Sequence, residues 1–319
     1  MRALVTGGAG FVGQWLTRSL LERGDSVDLT GLGDAPSGPD VLTAEERSAT
    51  RWIPADMRST DDVESAIERS APDIVFHLAG VSFPPEAERS PTTTYDVNVL
   101  GAVRLLGAIQ RRVVAGVVNP MTLIVGSGMQ YGPHSAAAMP LRETTEQRPV
   151  SIYAASKAAQ EVAALQFFRG SGARVICTRS FNHSGVGHAR EYLLPSLVER
   201  AKRVRRGEET RVALGNDVIR DYLHVSDVVR AYLLLVERGV AGEVYNVSSG
   251  RGVSVRQLAQ DVLLRVGAPV DISTDPALVR ASDIPVNVGS PAKLKHDTGW
   301  TPLKTHADII DDLLHATKD

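Results

Sequence analysis

The chain has 319 residues, 43% of them hydrophobic and 23% charged, an ordinary composition for a folded globular protein with a large core. Its 35 lysines and arginines against 37 aspartates and glutamates leave a formal charge of -2, which argues against nucleic acid or an anionic membrane surface as partner. No apolar run approaches the ~18 residues of a membrane span, and the single cysteine, Cys177, excludes an intrachain disulfide and fits a reducing, cytoplasmic setting.

From Met1 the chain passes directly into a short β-branched run and a glycine cluster, leaving no room for a signal peptide. Ala3–Thr6, Ser26–Thr30, Arg51–Pro54, Ile74–Ala79, Leu123–Gly126 and Val175–Thr178 are predicted strands, bounded by Gly, Pro or Asp. Between them apolar residues recur at helical spacing: Val12, Trp15, Leu16 and Leu20, then Val63, Ala66 and Ile67, then Val99, Ala102, Val103, Leu106 and Ile109. Ile74-Val75-Phe76-His77-Leu78 is nearly all apolar, as a strand covered on both faces must be. Alternating βαβ units predict an α/β fold built on a doubly wound parallel sheet. After about Arg179 the alternation weakens. A polar, glycine-containing loop over residues 181–188 precedes a helix over Tyr192–Arg206. A strand at Val212–Leu214, a helix at Ser226–Glu237, a strand at Val244–Val247, a helix at Ser254–Val266 and an irregular Pro-rich tail complete the chain. The expected organisation is a dinucleotide-binding domain over 1–180, to which some later segments return, and a smaller lobe over 181–319 that closes on a ligand beyond the carboxyl ends of the strands.

Thr6-Gly7-Gly8-Ala9-Gly10-Phe11-Val12-Gly13 lies between the first strand and the first helix. Gly7 permits a tight turn, Gly10 close approach of backbone N–H groups to a pyrophosphate, and Gly13 close packing of helix on strand. Its strand-to-helix context makes dinucleotide binding the preferred reading over a plain turn. The position that selects NAD by an acid or NADP by a base falls at about Gly31, which is neither, with Asp28 and Asp34 nearby, so NAD and NADP both stay open. Asp56, after the third strand, suits an adenine amino group or, equally, the start of the following helix.

Tyr153-Ala154-Ala155-Ser156-Lys157 sets a phenol and an ammonium at i and i+4 on one helix face. A neighbouring ammonium favours phenolate and turns a poor proton donor into a usable one near neutrality. That spacing is common, but Ser127 follows the fifth strand, where its hydroxyl can align a substrate carbonyl for hydride attack.

The glycine loop, Ser127 and the Tyr153/Lys157 pair, in this order, resemble the short-chain dehydrogenase/reductase superfamily, specifically its extended branch, which acts mostly on nucleotide-activated sugars. The resemblance runs from Arg2 to about Leu314. It implies that His77-Leu78-Ala79-Gly80 lines the cofactor and that Asn98 supports the active-site backbone and Lys157. The implied cofactor contacts are Gly7, Gly10, Phe11, Val12, Gly13, Asp56, Met57, Leu78, Ala79, Gly80, Asn98, Tyr153 and Lys157.

The segments Arg179–Gly187, Leu214–Asn216, Arg220–Tyr232 and Gly242–Gly250 resemble GDP-mannose 4,6-dehydratases and the related GDP-6-deoxy-4-keto-mannose reductases, and Arg280–Pro285, with Lys293-Leu294 and Thr298–Trp300, resembles the reductase tail. By that resemblance Asn182, Arg220 and Arg280 hold the diphosphate and base of a sugar nucleotide, and a guanidinium fork suits a diphosphate. Ser82, after the fourth strand, either touches the hexose or shapes its loop. The dehydratases carry a Glu two residues after the catalytic hydroxyl; Met129 stands there, and a thioether moves no proton. The expected activity is therefore NAD(P)H-dependent reduction at C4 of a nucleotide-linked 4-keto-6-deoxyhexose, GDP-4-keto-6-deoxy-mannose foremost. A 4-epimerase that retains NAD, a 4,6-dehydratase and a non-catalytic dinucleotide-binding protein follow as alternatives. A homodimer is expected by resemblance. No metal is expected, because the histidines lack ligand spacing, and the basic run Lys202–Arg206 is read as a solvated helix end.

Overall fold

The computed structural model describes residues 1–35, 41–279 and 283–316. Six strands rise in chain order through the first half: β1 (Arg2–Thr6), β2 (Ser26–Gly31), β3 (Thr50–Pro54), β4 (Ile74–His77), β5 (Met121–Ser127) and β6 (Val175–Ser180). The second half adds β7 (Asn182–Ser184), β8 (Val212–Leu214), β9 (Ile219–His224), β10 (Val244–Val247), β11 (Gly252–Ser254), β12 (Ile272–Thr274) and β13 (Val286–Asn287). Seven of them form one parallel sheet in the order β10-β6-β5-β4-β1-β2-β3. The order reverses at β1, so the first glycine loop and the end of β4 flank the crevice where such sheets bind ligands.

The sheet is covered on both faces, and the alternation along each strand divides its residues between two cores. Ala3, Val5, Phe76, Leu123 and Ile176 pack with Leu16 and Leu20 of the first helix and with Val228, Tyr232 and Leu235 of the helix Val225–Arg238. Leu4, Val75, Ile124, Val175 and Cys177 face the opposite way, onto Val63, Ile67, Leu105, Leu106, Ile109 and Ala164. Cys177 is 1% exposed, and burial pushes its thiol up, which makes it a core residue.

The lobe has its own apolar centre, where Leu194, Leu197 and Val198 of the helix Leu193–Arg205 meet Leu258, Val262, Ile309, Ile310 and Leu313. Three details differ from the sequence-based expectation. β4 ends at His77 rather than Ala79, because the N–H groups of Leu78 and Ala79 donate to Thr6 O and Thr6 Oγ1 at 3.2 Å and turn the chain out of the sheet. Residues 182–184, expected as loop, form β7 in parallel register with β9. The tail expected to be irregular carries the helices Ala292–Thr298 and His306–Ala316 and is pinned by Asp227, whose carboxylate accepts from Leu303 N–H and Lys304 N–H at 2.9–3.0 Å.

Candidate active site

The glycine loop is shaped by contacts that tolerate no side chain. Gly7 has φ +69°, and a Cβ there would stand 2.9 Å from Ala79 Cα. A Cβ on Gly13 would lie 2.6 Å from Gly7 O. Gly10 caps the first helix, Phe11–Glu22, with no side-chain hydrogen bond, and Gln14 N–H is the first to bond back, to Gly10 O at 3.0 Å. The N–H groups of Phe11, Val12 and Gly13 therefore point out of the helix end without a backbone partner, as an anion site requires. Thr6 Oγ1 bonds His77 Nδ1 at 2.8 Å, fixing the turn at Leu78-Ala79-Gly80 against the loop.

After β3, Asp56 gives both carboxylate oxygens to Arg58 at 2.6–3.0 Å, and this hydrogen bonding holds its pKa below the usual carboxylate range. Its neighbour Met57 is buried and packs where a Cβ on Gly101 would stand. Gly31 lies under the Trp52 indole, 2.9 Å from where its Cβ would be, and the indole N–H donates to Gly33 O at 2.9 Å. The strand end thus offers neither carboxylate nor cation at the selecting position.

The catalytic candidates converge at the carboxyl edge of β5. Ser127 ends that strand, and its Oγ accepts from Met129 N–H at 3.2 Å, while its own N–H donates to Gln130 Oε1 at 2.7 Å. Tyr153 and Lys157 lie one turn apart on the helix Ile152–Ser171, capped by Ser151 and stopped by Gly172 in the left-handed conformation. Burial raises the Tyr153 pKa, opposed by a hydrogen bond with Ser127. Lys157 is 4% exposed, its ammonium donating to Val125 O at 2.8 Å and Gln160 Oε1 at 3.0 Å, and burial lowers its pKa to about 8. Asn98, fully buried in a short π-helix over Asp96–Leu100, bonds Val81 through both N–H and C=O and donates to Ser156 Oγ at 2.9 Å, so it ties the turn after β4 to the residue beside Lys157.

Gln130, beside the departing position Met129, links this edge to the helix of Tyr153 and Lys157. Its amide donates to Glu161 Oε2 at 3.0 Å, and Glu161 is paired with Arg179 through two bonds of 2.7 and 2.9 Å. Met129 contributes no proton-transfer group, its Sδ lying 4.0 Å from Asn287 Nδ2.

From the lobe, Asn182 begins β7 opposite Tyr222, and Arg220 lies on β9, 8% exposed, with Nη1 donating to the carbonyls of Ile219 and Ile284. Burial lowers its pKa, and among the described residues no carboxylate pairs with it. Arg280 lies outside the described residues. Ser82 is exposed beside the turn after β4 and reaches Tyr192 Oη at 3.3 Å. Tyr192, which the sequence marks only as the start of a helix, forms an aromatic wall there with His188 and Phe83.

Residues 4–313 match the GDP-mannose 4,6 dehydratase family profile. The chain belongs to this family. Its relatives are NAD(P)-dependent enzymes of the extended short-chain dehydrogenase/reductase type, and so is this chain. It is 38% identical over 233 residues to the GDP-6-deoxy-D-mannose reductase of Pseudomonas aeruginosa, covering 72% of this chain and 75% of that one. It is 30% identical over 302 residues to the GDP-6-deoxy-D-talose 4-dehydrogenase of Aggregatibacter actinomycetemcomitans, covering 94% and 92%. The solved structure of RMD from Pseudomonas aeruginosa complexed with NADPH superposes with a TM-score of 0.83 at 31% identity, over 99% of this chain and 98% of that chain. The chain thus matches a dehydratase profile while resembling relatives named for redox chemistry at the sugar.

Proposed function

We propose that this protein reduces the C4 keto group of a nucleotide-linked 4-keto-6-deoxyhexose, with GDP-4-keto-6-deoxy-mannose as the leading substrate and NADPH or NADH as the reductant. The observation that carries this is an intact Ser127/Tyr153/Lys157 group beside a segment holding no free acid. Met129 is a thioether, and the next residue, Gln130, is buried and bonded to Ser127 N–H and Glu161. Elimination of water needs an acid and a base at C5 and C6, whereas reduction needs one proton donor at O4.

The residues fit a dinucleotide: a cradle that a Cβ at Gly7 or Gly13 would fill, and a helix end with unpartnered N–H groups. Gly7, Gly10, Phe11, Val12 and Gly13 would hold the pyrophosphate, Asp56 and Met57 the adenosine, and Leu78, Ala79 and Gly80 the middle of the cofactor. Bound there, the reduced nicotinamide supplies a hydride. Ser127 aligns the ketone by donating to its oxygen, Tyr153 gives the proton to O4, and Lys157 favours the phenolate that remains while binding ribose hydroxyls. Asn98 keeps the turn after β4 and the Lys157 helix in register. Ser82, Asn182, Arg220 and Arg280 hold the sugar nucleotide, Arg220 facing the diphosphate. A homodimer through the faces bearing the exposed Tyr95, Leu100 and Val162 belongs to the same proposal.

The test is loss of absorbance at the nicotinamide band with GDP-4-keto-6-deoxy-mannose and each reduced cofactor in turn. Stoichiometric loss is expected in the wild type, and Tyr153→Phe should lose most turnover, on the order of a hundredfold or more, while binding cofactor normally. Absence of net oxidation with nicotinamide cofactor co-purifying would instead identify an epimerase.

A further inference from the structure

Tyr192 occupies the N-cap of the helix Leu193–Arg205 yet makes no side-chain cap bond, so its side chain is free for another role. Its ring stacks on His188 at 4.2 Å between centroids and meets Phe83 edge-on at 5.4 Å. His188 stacks in turn on Phe11, the first residue of the glycine-loop helix, at 4.6 Å, and is held by Ser184 Oγ at 2.9 Å. The phenol ring is thus fixed between the lobe and the sheet domain. Its hydroxyl lies 3.3 Å from Ser82 Oγ and close enough to the Tyr153 phenol to act on it electrostatically.

A separation of 3.3 Å is long for two hydroxyls, whose bonds centre near ~2.7–2.8 Å. The pair is weakly joined and can exchange its mutual contact for a ligand. Each hydroxyl both donates and accepts, and neither carries charge. His188 adds none, since burial lowers its pKa to about 3 and leaves it neutral. Such a pair is poorly matched to a phosphate or carboxylate, which calls for cations or several converging donors, and well matched to a hydroxyl that also donates and accepts.

We propose that Tyr192 and Ser82 together clasp the sugar hydroxyl next to the reacting carbonyl, making Tyr192 a specificity-determining residue of the hexose subsite. This presupposes a nucleotide-linked sugar as substrate, but not that the sugar is reduced.

The test compares affinities of cofactor-loaded protein for GDP-mannose and for GDP alone by calorimetry, with UDP-glucose against UDP and dTDP-glucose against dTDP as parallel pairs. Tyr192→Phe keeps the ring and its stacking. In the pair that wild type binds, it should lower the ratio of sugar-nucleotide to nucleoside-diphosphate affinity about three- to tenfold, leaving diphosphate affinity and thermal midpoint unchanged. Ser82→Ala should lower the ratio similarly, and the double variant should lose no more than either single one, because the two act on one hydroxyl. An unchanged ratio in Tyr192→Phe, an equal loss for the diphosphate alone, or a wild type that binds none of the pairs overturns the proposal. Because the readout is binding, failure of the reductase assay leaves it standing, and its own failure leaves the reductase standing.

Discussion

Arg179 and Arg220 are buried almost equally, at 5% and 8% exposure, and are treated oppositely by their surroundings. Arg179, on β6 behind the catalytic edge, makes a two-bond pair with Glu161, donates a third bond to Glu143 O at 3.0 Å and lies over the Tyr131 ring at 4.8 Å. Burial works against its charge, but Glu161 and Tyr131 together outweigh it and raise the pKa. Arg220, on β9 of the lobe, has backbone carbonyls for partners and no paired carboxylate among the described residues, and burial lowers its pKa. One charge is cancelled within the fold and locks the helix of Tyr153 and Lys157 to the sheet. The other is desolvated with no ion pair among the described residues, Asp283 favouring its charge only at a distance, a state that folding must carry and that a bound anion would relieve.

The comparison breaks if the two arginines respond alike to removal. Arg179→Met leaves Glu161 buried without its partner and should cost about 3–5 kcal/mol in denaturant unfolding. Arg220→Met breaks no ion pair among the described residues and should leave stability unchanged or slightly raised in the same measurement. Equal losses would show that Arg220 is also a structural ion.

The functional half of the contrast is smaller. Arg220→Met should raise the KM for the sugar nucleotide about 10- to 100-fold, the scale of a hydrogen bond to a charged group, with the KM for cofactor unchanged. A normal KM for the sugar nucleotide would place the diphosphate elsewhere.

How much of this was legible from sequence follows from how local each signal is. The glycine loop is written in consecutive residues, and the Tyr153/Lys157 face follows from helical spacing alone, so both are legible in the sequence. The strand β9 did not, because its partners β7, β11 and β13 are two to three residues long and distant in the chain, too short to show alternation. The end of β4 depends on the Thr6 hydroxyl, over seventy residues away, which no local pattern encodes. Asp56 reads equally as a ligand group or a helix-start acid, and its pairing with Arg58 two residues on is visible only in the fold. Arg179 appeared as part of a family segment, but its pairing with Glu161 joins a strand to a helix and needed the fold. Tyr192 looked like the start of an amphipathic helix, since an aromatic residue before an apolar run carries no sign of a neighbour contributed by the turn after β4.

Lys157 sharpens the comparison, since it stands in the same domain as Arg179 but shares the state of Arg220. It is 4% exposed and bonded to a carbonyl and an amide oxygen, without a carboxylate, and burial lowers its pKa from 10.5 to about 8. Pairing, then, separates Arg179 from the two cations to which a functional role is proposed, and location does not. The consequence for rate has a definite sign. Proton donation by Tyr153 is favoured while Lys157 is charged, so reduction should hold below about pH 8 and fall as pH rises through that value, by about tenfold at pH 9 relative to pH 7. Its contribution to stability runs the other way. Between about pH 8 and 10.5 the unfolded chain binds a proton at Lys157 that the folded chain has released, so this group's contribution makes stability rise with pH across the window. A pH profile of kcat, alongside denaturant unfolding at the same pH values, separates the two. Activity that falls while the protein stays folded places the titration at the site. Activity flat to pH 10 would show that Lys157 keeps its proton, and that its burial is compensated by something other than the two oxygens it touches.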